Sequence, residues 1–227
     1  MSEIIEIMAI VEGSTERNFI KELLQPYLSK KNIFITPIMA SKAGQKGGDI
    51  KFTRIKKDIE IHLKQRSDIY ITLMIDFYGI AEWKNLDEAR QRNSPSDKAN
   101  IINKAIQEEI EKLLPAYNSK KRFIPYVSIH EFEALLFSNS DLLAKGLNID
   151  INNIEKILSE CGEPEMINNS ENTAPSKRLD LLTNNKFKKT ITGIEIAKSI
   201  GIEKMKEKCP LFKNWLCSIE GLIGGNN

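Results

Sequence analysis

Two apolar runs of strand length each end in a carboxylate. Residues 7–16 read I-M-A-I-V-E-G-S-T-E, so the first run stops at Glu12, passes Gly13 and restarts at Ser14 and Thr15 as a helix. Residues 69–75 (I-Y-I-T-L-M-I) form a second run, closed by Asp76 and followed by F-Y-G. Near-continuous apolar strands belong to parallel sheets covered on both faces, and such sheets gather ligands at the carboxyl ends of their strands. A carboxylate there is costly unless a cation or hydrogen-bond donors meet it. Two strand-end acids on one chain therefore point to a metal.

The rest of the chain alternates in the same way. Phe19, Ile20, Leu23, Leu24, Tyr27 and Leu28 follow the three-and-four spacing of an amphipathic helix. Residues 33–39 (I-F-I-T-P-I-M) predict a second strand, with Pro37 favouring an edge position. A stretch containing A-G-Q-K-G-G-D and a basic helical segment lead to the strand ending at Asp76, and residues 81–93 read as a polar loop. Ser94, Pro95 and Asp97 supply an N-cap, a proline at the first helical position and an acid in the first turn, opening a helix that carries Ile102, Ala105, Ile106 and Ile110. Residues 122–129 (R-F-I-P-Y-V-S-I) predict a fourth strand, and E-F-E-A-L-L-F restarts a helix. Strands alternating with helices imply an α/β fold with a mostly parallel sheet. From Asn139 onward the pattern is helical and loop-rich.

Composition narrows the class. At 227 residues the chain can bury a substantial core, and 41% hydrophobic with 28% charged residues is ordinary for a globular protein. No apolar stretch approaches the roughly 20 residues that span a bilayer. The first residues carry Glu3 and Glu6 rather than a basic segment before an apolar one. The expectation is a cytoplasmic protein without a membrane partner. Cys161, Cys209 and Cys217 show no C-x-x-C spacing and accompany two histidines, so they read as buried thiols rather than disulfides or zinc ligands.

The net charge of +2 hides an uneven distribution. Residues 42–66 hold eight basic residues, among them Lys42, Lys46, Lys51 and Arg54, against three acids. Residues 177–189 hold five, including Lys177 and Arg178, against Asp180. Such clusters can bind nucleic-acid phosphates by counterion release, although a solvated helix face has the same composition. The G-Q-K-G-G-D loop lacks the Walker spacing, so ATP binding by a P-loop is not expected. V-E-G-S-T is not a nucleophile elbow either.

V-E-G-S-T-E after the first strand, I-D-F-Y-G after a later one, H-E-F-E-A-L-L-F-S after the next and P-S-K-R-L further on together resemble the Toprim-like proteins. The chain is most similar to a small Toprim-related family often encoded beside ATPases in bacterial defence islands, and the similarity extends into the C-terminal stretch. The resemblance implies a Toprim-like α/β core over residues 1–140 and a helical C-terminal extension over 141–227 packed on it. Toprim domains serve topoisomerases, primases and nucleases of the overcoming-lysogenization-defect type, where a strand-end glutamate and an aspartate pair hold magnesium. On that pattern Glu12 is the Toprim glutamate, and the D-x-D pair reads Asp76, Phe77, Tyr78. Tyr78 departs from it, because a phenol with a pKa of about 10 is no substitute for a carboxylate ligand.

Phosphodiester cleavage needs a hard cation, and Mg2+ binds through a few carboxylates while keeping waters. The expected set is Glu12, Asp76 and Glu131 as ligands of Mg2+ or Mn2+, with Glu133 in the catalytic group and Lys177 giving transition-state charge. Lys42, Lys46, Lys51, Arg54 and Arg178 are expected on the nucleic-acid path, DNA or RNA. His130 and Glu133, three apart, could pair as base and orienter if both are helical. The plain alternatives are a helix N-terminal carboxylate for Glu12 and a solvated first turn for Glu131 and Glu133.

Two functions from different classes follow. One is a metal-dependent nuclease in anti-phage defence, with an ATPase partner and homodimerisation allowed. The other is a catalytically inactive Toprim-like subunit that regulates an ATPase complex, motivated by the lost second aspartate. A phospho-accepting receiver built on Asp76 would need a pair of acids after the first strand, where this chain has Glu12 followed by Gly13.

Overall fold

The structure is a computed structural model and describes residues 4–41, 50–167 and 173–224. Its strands are β1 (Ile5–Val11), β2 (Ile33–Met39), β3 (Ile50–Lys51), β4 (Ile69–Asp76), β5 (Ile80–Ala81), β6 (Phe123–Ile124) and β7 (Val127–Ser128). The main sheet runs β2-β1-β4-β6, with β7 also paired to β4, and every pairing is parallel. Short β3 and β5 form a separate parallel pair. β2 lies at the edge, where Pro37 costs no ladder hydrogen bond on its open side.

The helices are α1 (Ser14–Phe19), α2 (Gln25–Ser29), α3 (Phe52–Gln65), α4 (Leu86–Arg90), α5 (Pro95–Leu113), α6 (Ser119–Arg122), α7 (Ser140–Leu147), α8 (Ile151–Cys161), α9 (Pro175–Leu182), α10 (Ile194–Ile200), α11 (Ile202–Lys208) and α12 (Pro210–Glu220). A π-helical turn, Ile20–Leu24, joins α1 to α2 just ahead of Pro26, whose missing N–H an uninterrupted α-helix would have needed.

Strand periodicity divides the core in two. On β1, Ile5, Ile7, Ala9 and Val11 face one side with α1, α2 and the C-terminal helices, while Ile10 faces the other. On β4, Ile69, Ile71, Leu73 and Ile75 pack against Ile55, Ile59 and Leu63 of α3 and Ile102, Ile106 and Ile110 of α5. The sheet is thus an α/β layer covered on both faces, as expected.

The C-terminal helices share the first core rather than merely touching it. Trp215 of α12 donates its indole N–H to Thr72 Oγ1 at 2.8 Å and stacks on Tyr126 at 4.5 Å between centroids. Glu165 accepts the amides of Leu211 and Phe212 at 2.7 and 3.0 Å, capping the first turn of α12. Tyr27 on α2 donates to Glu203 and Glu220, both at 2.7 Å, and Lys31 pairs with Glu220 at 2.6 Å.

Several local expectations give way. The run at 122–129 is two short strands interrupted at Pro125, and Arg122 ends α6 instead of opening a strand. Its buried guanidinium bonds the carbonyls of Ile69 (2.9 Å), Leu63 (3.3 Å), Tyr117 (3.0 Å) and Arg66, tying α3 to the start of β4. Residues 132–138 form a 3-10 helix whose side chains are all buried, not an amphipathic α-helix. The polar loop at 81–93 contains the end of β5 and α4. Among the cysteines only Cys209 is fully buried; all three are free thiols. No helix among the described residues is long and apolar enough to cross a membrane.

Candidate metal centre

Parallel pairing fixes where the acids fall. β1 pairs β4 up to Val11 opposite Met74, so Glu12 and Asp76 leave adjacent strands side by side. Asp76 pairs in turn with Ser128 of β7, which brings the segment carrying Glu131 and Glu133 to the same sheet edge. The Asp76 amide points at Glu12 Oε2 at 3.4 Å.

The electrostatics point the same way. Burial raises the Asp76 carboxyl well above its usual range, and Glu16, Glu12, Glu133 and Glu131 add to the shift. Glu133, 1% exposed, is pushed up to about 7 by burial, with Lys189 opposing and Glu131 and Glu16 reinforcing. Its Oε1 is buried without a hydrogen bond, and Lys189 Nζ stands 3.8 Å away. Partial burial lowers the Lys189 pKa, but Glu133, Glu131, Glu16 and Asp76 together hold it above the ordinary value. Five carboxylates and one ammonium thus share one field.

Two glycines make room for this cluster. A Cβ at Gly79 would lie 2.8 and 2.9 Å from the two carboxylate oxygens of Glu12, so a side chain in the 3-10 turn Phe77–Gly79 would push the Glu12 carboxylate from this position. Gly13 has an extended backbone (φ −140°) open to any residue, so no left-handed turn requires a glycine there. Its value is proximity: a Cβ would sit 3.0 Å from Glu16 Oε2, the same oxygen that accepts the Gly13 amide at 2.9 Å.

Glu131 accepts the Ser176 amide at 2.9 Å, docking the first turn of α9 against the cluster. Lys177 follows, exposed to solvent. Arg178 turns the other way, donating to Thr173 O at 3.0 Å and lying 3.9 Å from Glu160 on α8. Lys51 pairs with Glu82, and Arg54 is half-buried on α3. Lys42, Lys46 and the G-Q-K-G-G-D loop lie outside the described residues. The expected His130–Glu133 pair is not formed: neither His130 ring nitrogen has a hydrogen-bond partner, and burial pushes the imidazole down to about 4. His130 lies in a bend ahead of the 3-10 helix, whose N-cap is Glu131, so it shares no helical face with Glu133.

Sequence reasoning missed two members. Glu16 reads in the sequence as an acid in the first turn of a helix, yet it is also buried and acts on Asp76. Lys189 was one of five bases in a cluster, and nothing in the sequence set it apart from Lys186 or Lys188. Tyr78, at the D-x-D position, is 47% exposed, with Lys98 Nζ 3.4 Å from its hydroxyl and 5.8 Å from its ring centroid. Among the described residues no three acid, histidine or cysteine side chains already close into a coordination shell.

Residues 11–220 match the family described as a domain of unknown function (DUF4276), and the chain belongs to that family. No curated protein matches it. Two solved structures of the C-terminal region of the Xanthomonas campestris pv. campestris OLD protein, phased with mercury and with iodine, are similar to this chain. Each has 14% identity, a TM-score of 0.42 and coverage of 96% of this chain and 95% of the other.

Proposed function

We propose that this chain is a metal-dependent nuclease with a Toprim-like centre, cleaving phosphodiester bonds with Mg2+ or Mn2+ held by Glu12, Asp76 and Glu131. The observation that carries this reading is the convergence of buried Glu16 and Glu133 and half-buried Glu12 and Glu131 on Asp76 at the carboxyl ends of adjacent parallel strands. The donor set fits a hard cation: it is all carboxylate, Glu133 Oε1 is buried without a hydrogen bond, and Gly79 leaves Glu12 space that a Cβ would fill. Mg2+ takes one or two carboxylates directly and keeps waters, so it does not require a closed shell of side chains.

When bound, the ion neutralises charge on the phosphate and lowers the pKa of an attacking water. The chain's own groups do the rest. Glu133, with a pKa of about 7, is suited to take a proton from that water or return one to the leaving oxygen. Glu16 holds the Gly13 amide and so fixes the turn that delivers Glu12. Exposed Lys177, next to the Glu131-bound turn of α9, is placed to meet an incoming backbone phosphate. A role in anti-phage defence beside an ATPase follows from the sequence resemblance and belongs to the same proposal.

A second reading, a non-catalytic subunit regulating an ATPase, is favoured by one feature, the neutral Tyr78 at the second aspartate position. Pure protein incubated with Mn2+ and mixed DNA and RNA separates the two. Cleavage that falls at least about 100-fold in Glu12→Ala, on the scale of losing a principal charge-stabilising group, supports the nuclease. Mn2+ binding without cleavage supports the regulatory subunit.

A further inference from the structure

We infer that the centre takes a single divalent ion, and that the Lys189 ammonium supplies the positive charge a second ion would bring. This rests on the metal reading above and specifies it. The cluster has two sides with different partners. On one, the Asp76 backbone amide donates to Glu12 Oε2 at 3.4 Å, beside Gly79, where a Cβ would crowd the Glu12 carboxylate. On the other, Glu133 is almost wholly enclosed, its Oε1 has no hydrogen bond, and the cation that reaches it is Lys189, 3.8 Å away. A divalent ion at Glu133 would have to share that place with an ammonium, like charges at close range.

The sequence around Asp76 agrees. Two residues on, where a second acid would draw in another cation, the chain has Tyr78, whose hydroxyl accepts from Lys98 at 3.4 Å. One anionic group is thus replaced by a neutral one that already faces a lysine, and one cation position is taken by a side chain tethered to the fold. Lys189 is 55% exposed along its side chain, so its stem can swing outward when a substrate phosphate enters, carrying the charge to the phosphate without releasing an ion.

Calorimetric titration of Mn2+ into the metal-free full chain tests this, with Lys189→Met keeping the length of the side chain and removing its charge. The expected result is one Mn2+ per chain in the native protein and in Lys189→Arg, and two in Lys189→Met. Thermal melts check that the variants are folded; Lys189 is exposed, so they should match the native chain. Two ions per native chain, or one in both native and Lys189→Met, would overturn the inference while leaving the metal reading standing. No Mn2+ binding by the native protein would overturn both.

Discussion

At the scale of single residues, the centre depends on two carboxylates whose protonation and position are set by their surroundings. Glu133 titrates near 7 when folded and near 4.5 when not. Between those values the folded chain holds a proton that the unfolded chain has released, so stability of the metal-free protein falls as pH rises from about 4.5 through about 7. One pKa unit corresponds to about 1.4 kcal/mol, so the loss is of the order of 3 kcal/mol, with Asp76 adding in the same direction. Melting temperatures across pH 5 to 8 should decline in the metal-free chain and decline less in Glu133→Gln; identical slopes would contradict the assignment. Gly79→Ala gives the complementary prediction. Its Cβ would meet the mobile end of Glu12 rather than backbone, so folding should change by less than about 1 kcal/mol. Mn2+ affinity, read by calorimetry, should drop about tenfold or more. At this scale Glu12 and Asp76 were legible because an acid that ends an apolar run stands out in one dimension. Lys189 and Gly79 were not, because their importance lies in the carboxylates that stand opposite them, Glu133 for Lys189 and Glu12 for Gly79, 56 and 67 positions away, and sequence spacing carries no record of either.

At the scale of elements, parallel pairing does the assembling. β1, β4 and β7 end together, so acids from three separate stretches share one edge without any long-range signal in the chain. Strands β1, β2 and β4 and helix α5 were legible because apolar period and capping agree there; Ser94 Oγ does accept the Asp97 amide, at 3.3 Å. The segment at 132–138 was misread because E-F-E-A-L-L-F has helical spacing, yet it is enclosed on all sides by both the sheet and the C-terminal helices. Burial all round removes the polar face on which an amphipathic reading depends. The docking of α12 is carried by Trp215, buried, stacked on Tyr126 and hydrogen-bonded to Thr72. Trp215→Ala should cost about 3–5 kcal/mol, the usual range for emptying a buried tryptophan site, and denaturant unfolding measures it. A loss below about 1 kcal/mol would mean that α12 is not an integral part of the core.

At the scale of the whole molecule, the sheet is covered on one face by α3 and α5 and on the other by α1, α2 and the C-terminal helices, and the acids lie where those layers meet the strand ends. The same helices that complete the core also deliver Ser176 to Glu131 and Lys189 to Glu133, so the C-terminal part of the chain finishes the site that the strands begin. The most direct test is anomalous diffraction from crystals soaked in Mn2+. The account predicts a peak within about 2.5 Å of carboxylate oxygens of both Glu12 and Asp76, a distance suited to oxygen ligands of a hard divalent ion. Ordered density for both side chains with no peak between them, or a peak bound elsewhere on the chain, would contradict it.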